Sequence, residues 1–265
     1  MASVKNLVDT PANVHEFKKW YEKKFNFNIE RYKYYYNSVT QLLRENFLKS
    51  QFWNILSNSL ANINDLYLQQ KKYTLISKTE CPDIYIKSLD SLLIKAYRKN
   101  VLNNPNFPEP PDDGWITPDN WFTQINDILR TTIEVKYIDG VEFLLKEIKN
   151  IADGSECIFN YSFEARDVGY YAAHAGAVVE LELLDQNWSP HTTRINVEIQ
   201  VTTELQEIIK SLLHKYYEEN RQKHQQKDYK WQWDYKSDEF ATNYLGHIVH
   251  YVEGMIVEIR DKQQS

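Results

Sequence analysis

Cysteine is scarce in this chain, and so are glycine and methionine. Cys81 and Cys157 are the only two cysteines in 265 residues, which excludes a disulfide framework and predicts a reducing, cytoplasmic setting. They lie 76 residues apart and match no zinc ribbon. Long apolar runs are absent, so no segment approaches the roughly 18 residues of a membrane span and no membrane partner is expected. The opening MASVKNLVDT lacks the apolar core of a signal peptide. Repeats and low-complexity tracts are missing too. What is present, 42% hydrophobic, 26% charged and 14% aromatic residues, describes a globular chain and excludes disorder and fibre.

The net charge of −6 is unevenly spread. Residues 1–100 hold 16 Lys and Arg against 9 Asp and Glu, residues 101–203 hold 6 against 17, and residues 204–265 hold 9 against 11. A basic end suits polyphosphate or nucleic acid, and an acidic middle suits a cation; solvated helix faces and acidic loops would give the same arithmetic.

The first hundred residues read as helical. Apolar residues recur at three and four through 39–68, with a slip at 48–51, and again over 88–100, where Leu89, Leu92, Leu93, Ala96 and Tyr97 share a face. Between 15 and 36, lysines mix with aromatics. Five prolines and a glycine in 103–119 forbid regular structure there. Beyond that loop the period becomes two. Cys157, Phe159, Tyr161 and Phe163 alternate with Ile158, Asn160 and Ser162, and Val179, Leu181 and Leu183 with Glu180 and Glu182. The clearest strand is 194–201, with Ile195, Val197, Ile199 and Val201 on one face and Arg194, Asn196, Glu198 and Gln200 on the other. Thr203 and Gln206 form a capping-box pattern ahead of the amphipathic run Leu205, Ile208, Ile209, Leu212, Leu213 and Tyr216. The stretch 236–259 repeats that spacing with Phe240, Tyr244, Ile248, Tyr251, Val252, Met255 and Ile256. These aromatic-rich terminal helices are candidate association surfaces.

Four segments carry chemistry. The polar strand face could line a cleft, its members about 7 Å apart, or could simply be wet. In Asp167–Gly176, two of the seven glycines flank Tyr170 and His174. Glycine allows close backbone approach to a ligand, tyrosine a flat ring for a base, and histidine a donor to phosphate; a tight strand connection is the alternative. Asp127 enters a β-branched strand as a metal ligand or a loop cap. Lys87, Ser91 and Lys95 sit one helical turn apart, where a triphosphate could meet them together. His247 and His250 share a helix face but lack a third ligand, so they read as structural.

In this order the segments resemble the RelA/SpoT alarmone synthetase family over roughly residues 75–220. Val197-Glu198-Ile199-Gln200 is similar to the family's Val-Glu-Ile-Gln strand, and Gly169-Tyr170 with His174 to its acceptor loop. Asp127 resembles the start of Asp-x-x-Gly-x-Arg, and Lys87, Ser91 and Lys95 match Lys-Ser-x-x-Ser-x-x-x-Lys. Three departures stand out: Tyr85 replaces an arginine two residues before the lysine, Arg130 and Thr132 replace the glycine and arginine, and Arg166-Asp167-Val168 precedes Gly169. No His-Asp dipeptide occurs, so the likeness is to stand-alone, synthetase-only members.

The resemblance implies an α+β fold, a nucleotidyltransferase-like mixed β-sheet flanked by helices. A helical N-terminal region (1–74), a synthetase core (75–220) and a C-terminal helical extension (221–265) would make up the chain. The implied reaction moves the β,γ-pyrophosphate of ATP to the ribose 3′-hydroxyl of a purine nucleotide. By the same resemblance Asp127 and Glu198 are catalytic and hold Mg²⁺, with Glu198 accepting the hydroxyl proton. Tyr85, Lys87, Ser91, Lys95 and Arg130 would bind ATP, and Gly169, Tyr170, His174 and Gln200 the acceptor. Two other readings remain open: a toxin that pyrophosphorylates the 3′ end of tRNA, paired with an antitoxin protein, and an inactive nucleotide-binding sensor. The nine tyrosines of the basic first hundred residues would supply a stacking surface for tRNA.

Overall fold

The computed structural model describes residues 10–220 and 230–263, without the side chains of 213–220. Leu213 and Tyr216 of the amphipathic run, the opening nine residues and 221–229 therefore lie outside the described residues. The elements follow as α1 (Val14–Phe25), α2 (Ile29–Leu48), α3 (Gln51–Lys71), β1 (Tyr85–Ile86), α4 (Leu89–Tyr97), α5 (Trp121–Gln124), β2 (Leu129–Val135), α6 (Ile138–Asp153), β3 (Ile158–Ala165), β4 (Tyr171–Leu184), β5 (Pro190–Thr203), α7 (Glu204–Asn220) and α8 (Asp238–Lys262). The strands form one mixed sheet in the order β1–β2–β5–β4–β3. No described helix is long and apolar enough to cross a membrane.

Residues 10–49, Ile84–Arg130 and Val178–Val197 make one compact unit. Ser50–Asp83, Thr131–Ala177 and the described residues from Glu198 onward make a second. Because the division falls inside β2, β4 and β5, each of these strands contributes to both.

In the first unit, polar caps start the helices where the sequence allows. Asn13 accepts from the Glu16 amide, Asn28 from Arg31 and Ser88 from Ser91, each satisfying a first-turn donor. Phe17, Tyr21, Tyr36, Val39 and Leu43 are buried, and α1 and α2 both pack on α4. Trp121 lies fully buried among them, its indole N–H donating to the Tyr21 hydroxyl at 2.9 Å. That hydroxyl donates in turn to the Ile116 carbonyl at 2.8 Å, so neither buried polar group is orphaned. Tyr85 and Arg130 are antiparallel register partners on β1 and β2.

In the second unit, Ser50 caps α3 through the Trp53 amide, which explains the slip at 48–51. α3 and β3 pack on α6, and α7 on α8. The alternation of β4 and β5 holds in both units: Val179, Leu181, Leu183, Ile195 and Val197 are buried in the first, and Ile199 and Val201 in the second. Three sequence expectations need correction. Phe163 is exposed, so the inward run of β3 stops short of it. The capping box is half made: Thr203 Oγ1 accepts from the Gln206 amide, while the Gln206 side chain donates to Glu253 instead. And the tyrosines of the first hundred residues do not form an aromatic surface. Tyr21, Tyr36, Tyr67 and Tyr97 are buried, and only Tyr34 and Tyr85 are exposed.

Candidate functional site

Two clusters collect the sequence-predicted residues, one in each unit. In the first, Lys87 lies just past β1 and Lys95 two turns along α4; both reach Asp127, in the loop before β2. Their ammonium groups donate to its two oxygens at 2.9 Å each. Burial pushes the Asp127 carboxyl up, but the lysine hydrogen bonds more than reverse this and hold it below the usual carboxylate range. The cluster is an ionised carboxylate already facing two cations. Ser91 does not join it: its hydroxyl exchanges a hydrogen bond with Ser88 at the exposed start of α4. Ser91 and Lys95 share α4 as read, but Lys87 precedes the Ser88 cap and lies outside the helix, and that cap captures the Ser91 hydroxyl. Tyr85 and Arg130 are exposed and project together from neighbouring strands.

In the second cluster, the β3–β4 turn closes with the Arg166 amide on the Tyr170 carbonyl at 3.0 Å and the Gly169 amide on the Arg166 carbonyl at 2.9 Å. Gly169 has φ +71°, where a Cβ would be strained. It also touches α8 so closely that an added Cβ would strike the Asn243 carbonyl and the backbone of Gly246 and His247. From this turn Tyr170 Oη meets His174 Nε2 at 2.8 Å, and His174 Nδ1 meets Glu198 Oε1 at 2.6 Å. The imidazole thus bridges the two groups, its Nδ1 on the carboxylate and its Nε2 on the tyrosine hydroxyl. Gln200 donates to the same Glu198 oxygen at 3.2 Å and accepts from Lys210 at 3.4 Å. Burial pushes the Tyr170 phenol up to about 12 against the opposing Arg166 charge, which lies 5.0 Å over its ring. Tyr170 therefore donates as a neutral phenol at neutral pH.

The polar face of β5 grades along its length. Arg194 is an exposed partner of Glu180, whereas Glu198 is mostly covered and Gln200 buried. His247 bridges the Tyr171 hydroxyl at 2.8 Å and the Asp167 carbonyl at 2.9 Å, and His250 stacks on Tyr171 at 3.6 Å. These contacts join α8 to the turn before β4.

No protein-family model and no curated protein matches the chain. Solved structures do. The crystal structure of small alarmone synthetase 1 from Bacillus subtilis bound to its product pppGpp aligns with a TM-score of 0.53 at 17% identity, covering 83% of this chain and 98% of that one. The fold is that of the small alarmone synthetases. A second crystal structure of the Bacillus subtilis synthetase 1 aligns over 89% of this chain and 97% of that one, with a TM-score of 0.50 at 16% identity.

Within this small alarmone synthetase fold, several neighbours of the clusters escaped the sequence reading. Arg166 and Glu164, which pair with each other beside Tyr170, looked only like loop charges. Lys210 sits nearly two turns into α7 from the strand it serves; its place seven residues after Thr203 was the available signal. The Gly169–Gly246 contact joins residues 77 positions apart and left no local trace. Asp127 suits a hard divalent cation, being ionised with oxygen donors. Among the described residues no three His, Cys, Asp or Glu converge as a metal cage. Mg²⁺ held by one or two carboxylates plus substrate phosphates requires none.

Proposed function

We propose that the chain is an ATP-dependent pyrophosphokinase that transfers the β,γ-pyrophosphate of ATP to the ribose 3′-hydroxyl of a purine nucleotide, giving a (p)ppGpp-type alarmone. The observation that carries this reading is the Tyr170–His174–Glu198 chain. It sets a mostly covered carboxylate, fixed by an imidazole, beside an aromatic ring on a glycine turn.

In the proposed reaction the acceptor's 3′-oxygen bonds to the β-phosphorus of ATP. The bond from that phosphorus to the oxygen shared with the α-phosphorus breaks, and AMP leaves with the electron pair. The hydroxyl proton passes to Glu198, whose orientation His174 and Gln200 hold. Tyr170 stacks the acceptor base, with its ring face set by the Gly169 turn. Lys87 and Lys95 exchange Asp127 for triphosphate oxygens, a positioning and electrostatic role of the kind that dominates phosphoryl transfer. Tyr85 and Arg130 flank the donor, ring to base and guanidinium to phosphate. Asp127 would hold Mg²⁺, which when bound neutralises charge on the phosphates.

A free nucleotide suits the acceptor better than tRNA does. Four of the nine tyrosines that would have made an RNA-stacking surface are core residues and only two are exposed, and the whole chain is acidic. The fold is also one on which the Bacillus subtilis synthetase 1 holds its product pppGpp.

The test incubates wild type and Glu198→Gln with γ-³²P-ATP, Mg²⁺ and, separately, GDP, GTP, AMP or bulk tRNA. Label should enter a guanosine or adenosine nucleotide and fall at least about 100-fold in the variant, with ATP binding retained. Label on tRNA alone would establish the toxin reading. No label on any acceptor, with the same ATP affinity in both proteins, would leave a nucleotide-binding sensor.

A further inference from the structure

α8 meets its own unit through polar residues, and one of them is incompletely satisfied. Arg260 makes a two-pronged ion pair with Asp139, at 3.2 and 2.7 Å, and donates to Tyr67 at 2.9 Å. Glu253 accepts from the Gln206 side chain at 3.2 Å through Oε2, but its Oε1 has no hydrogen-bond partner, although the residue is only 3% exposed. A buried carboxyl oxygen without a donor is costly, and native folds seldom leave one. Glu253 also stands in the wall of a cavity of about 260 Å³ whose lining lies wholly within the second unit. Val141 of α6, Phe163 of β3 and Ala173 of β4 make that lining apolar, and Tyr171 and His250 belong to it as a pair stacked at 3.6 Å. None of Tyr170, His174, Glu198 and Gln200 lines it. Tyr171 and Ala173 lie an odd number of positions from His174, so they face the other side of the sheet.

We propose that this cavity binds a small aromatic cation, its ring among Val141, Phe163 and Ala173 and its ammonium N–H donating to Glu253 Oε1. Size sets the bounds. At about 260 Å³ the space exceeds the ~150 Å³ that admits benzene and falls short of the ~300 Å³ where sites for drug-sized molecules begin. One ring with a short chain fits between those limits. Charge sets the sign. Glu253 and Glu164, the latter paired with Arg166, belong to the lining, and no lysine or arginine occurs among its described residues. Burial holds the His250 ring below its ordinary range, so it adds no charge at neutral pH. A phosphate or carboxylate would meet no cation in this lining, which excludes nucleotides from the cavity. A positive group meets an unspent acceptor and the faces of aromatic rings. The break in the inward run of β3 fits the same reading: Phe163, 59% exposed yet part of the lining, stands at the mouth, where it can cover a bound ring. The inference stands independently of the proposed chemistry.

Calorimetric titration of the full chain with 2-phenylethylamine should give a dissociation constant of about 0.1–1 mM. 2-Phenylethanol, of the same size but uncharged, should bind at least about 10-fold more weakly. Glu253→Gln keeps the shape and removes the charge. It should weaken the amine at least about 10-fold and leave the alcohol within about 2-fold. A second readout needs no variant: in nuclear Overhauser spectra of the wild-type chain, the ring protons of the amine should contact the methyl groups of Val141 and Ala173. No binding of the amine at about 10 mM, equal affinities for amine and alcohol, an amine affinity untouched by Glu253→Gln, or ring contacts to other residues only would each overturn the proposal.

Discussion

Replacing Gly246 of α8 by alanine should loosen the Tyr170 turn, although residue 246 belongs to none of the sequence motifs. A Cβ there would lie 2.9 Å from the Gly169 carbonyl carbon and nearer still to its oxygen, where ordinary contacts begin at 3.4 Å. The neighbour is backbone, so no side chain can swing aside; the turn and the helix must part by about 1 Å. Overpacking of this kind costs about 1–3 kcal/mol, offset by the nearly 1 kcal/mol that alanine gains over glycine inside a helix. The net, up to about 2 kcal/mol, lowers the melting temperature by up to roughly 8 °C. Gly254 supplies the control. It lies eight residues along the same helix with nothing within 4 Å of an added Cβ, so Gly254→Ala should raise the melting temperature by about 2–4 °C. Kinetics separate the two further. A displacement near 1 Å at the turn should cut kcat/KM for the acceptor by about 10- to 100-fold while leaving the KM for ATP unchanged. Thermal melts and two-substrate titrations on both variants check this. Equal shifts of both melting temperatures, or wild-type acceptor kinetics in Gly246→Ala, would refute the reasoning.

Two further outcomes follow from buried polar groups. Burial raises the Glu253 carboxyl against the hydrogen bonds of Thr203 and Gln206, and its Oε1 has no hydrogen-bond partner. A folded value above the unfolded one contributes stability that is full below the unfolded value and is lost as pH rises through the folded one. Glu253→Gln should therefore raise the melting temperature at pH 8 and change it little at pH 4; the reverse order would contradict the assignment. Tyr21→Phe removes the hydroxyl between Trp121 and Ile116 and leaves a buried indole N–H unpaired. It should cost about 1–3 kcal/mol in urea denaturation, and a neutral result would mean that the indole finds another acceptor.

What could be read from the sequence was what local spacing controls. The alternation of Ile195, Val197, Ile199 and Val201 set β5 and its polar face because burial on one side of a strand imposes a period of two. The face shared by Leu89, Leu92 and Leu93 set α4 in the same way. Contacts between distant residues were not legible. Lys87 and Lys95 were read as phosphate ligands, but their pairing with Asp127, 40 and 32 positions away, depends on how β1, α4 and the loop before β2 meet. Ser91 shares the helix of Lys95 but is taken by the Ser88 cap, a competition that spacing does not encode. On α8 the apolar stripe was legible and its direction was not. Arg260, Glu253 and Gly246 each answer a particular partner from another element, and together they turn the polar side inward.

The central claim is a pyrophosphoryl transfer, and the nucleotide left behind reports on it most directly. Phosphorus NMR of the chain with ATP, Mg²⁺ and the acceptor that takes the label should show AMP and a 3′-pyrophosphorylated nucleotide rising in equal amounts, and neither in Glu198→Gln. ADP in place of AMP, signifying transfer of the γ-phosphoryl group alone, or AMP formed at the wild-type rate by the variant, would contradict it.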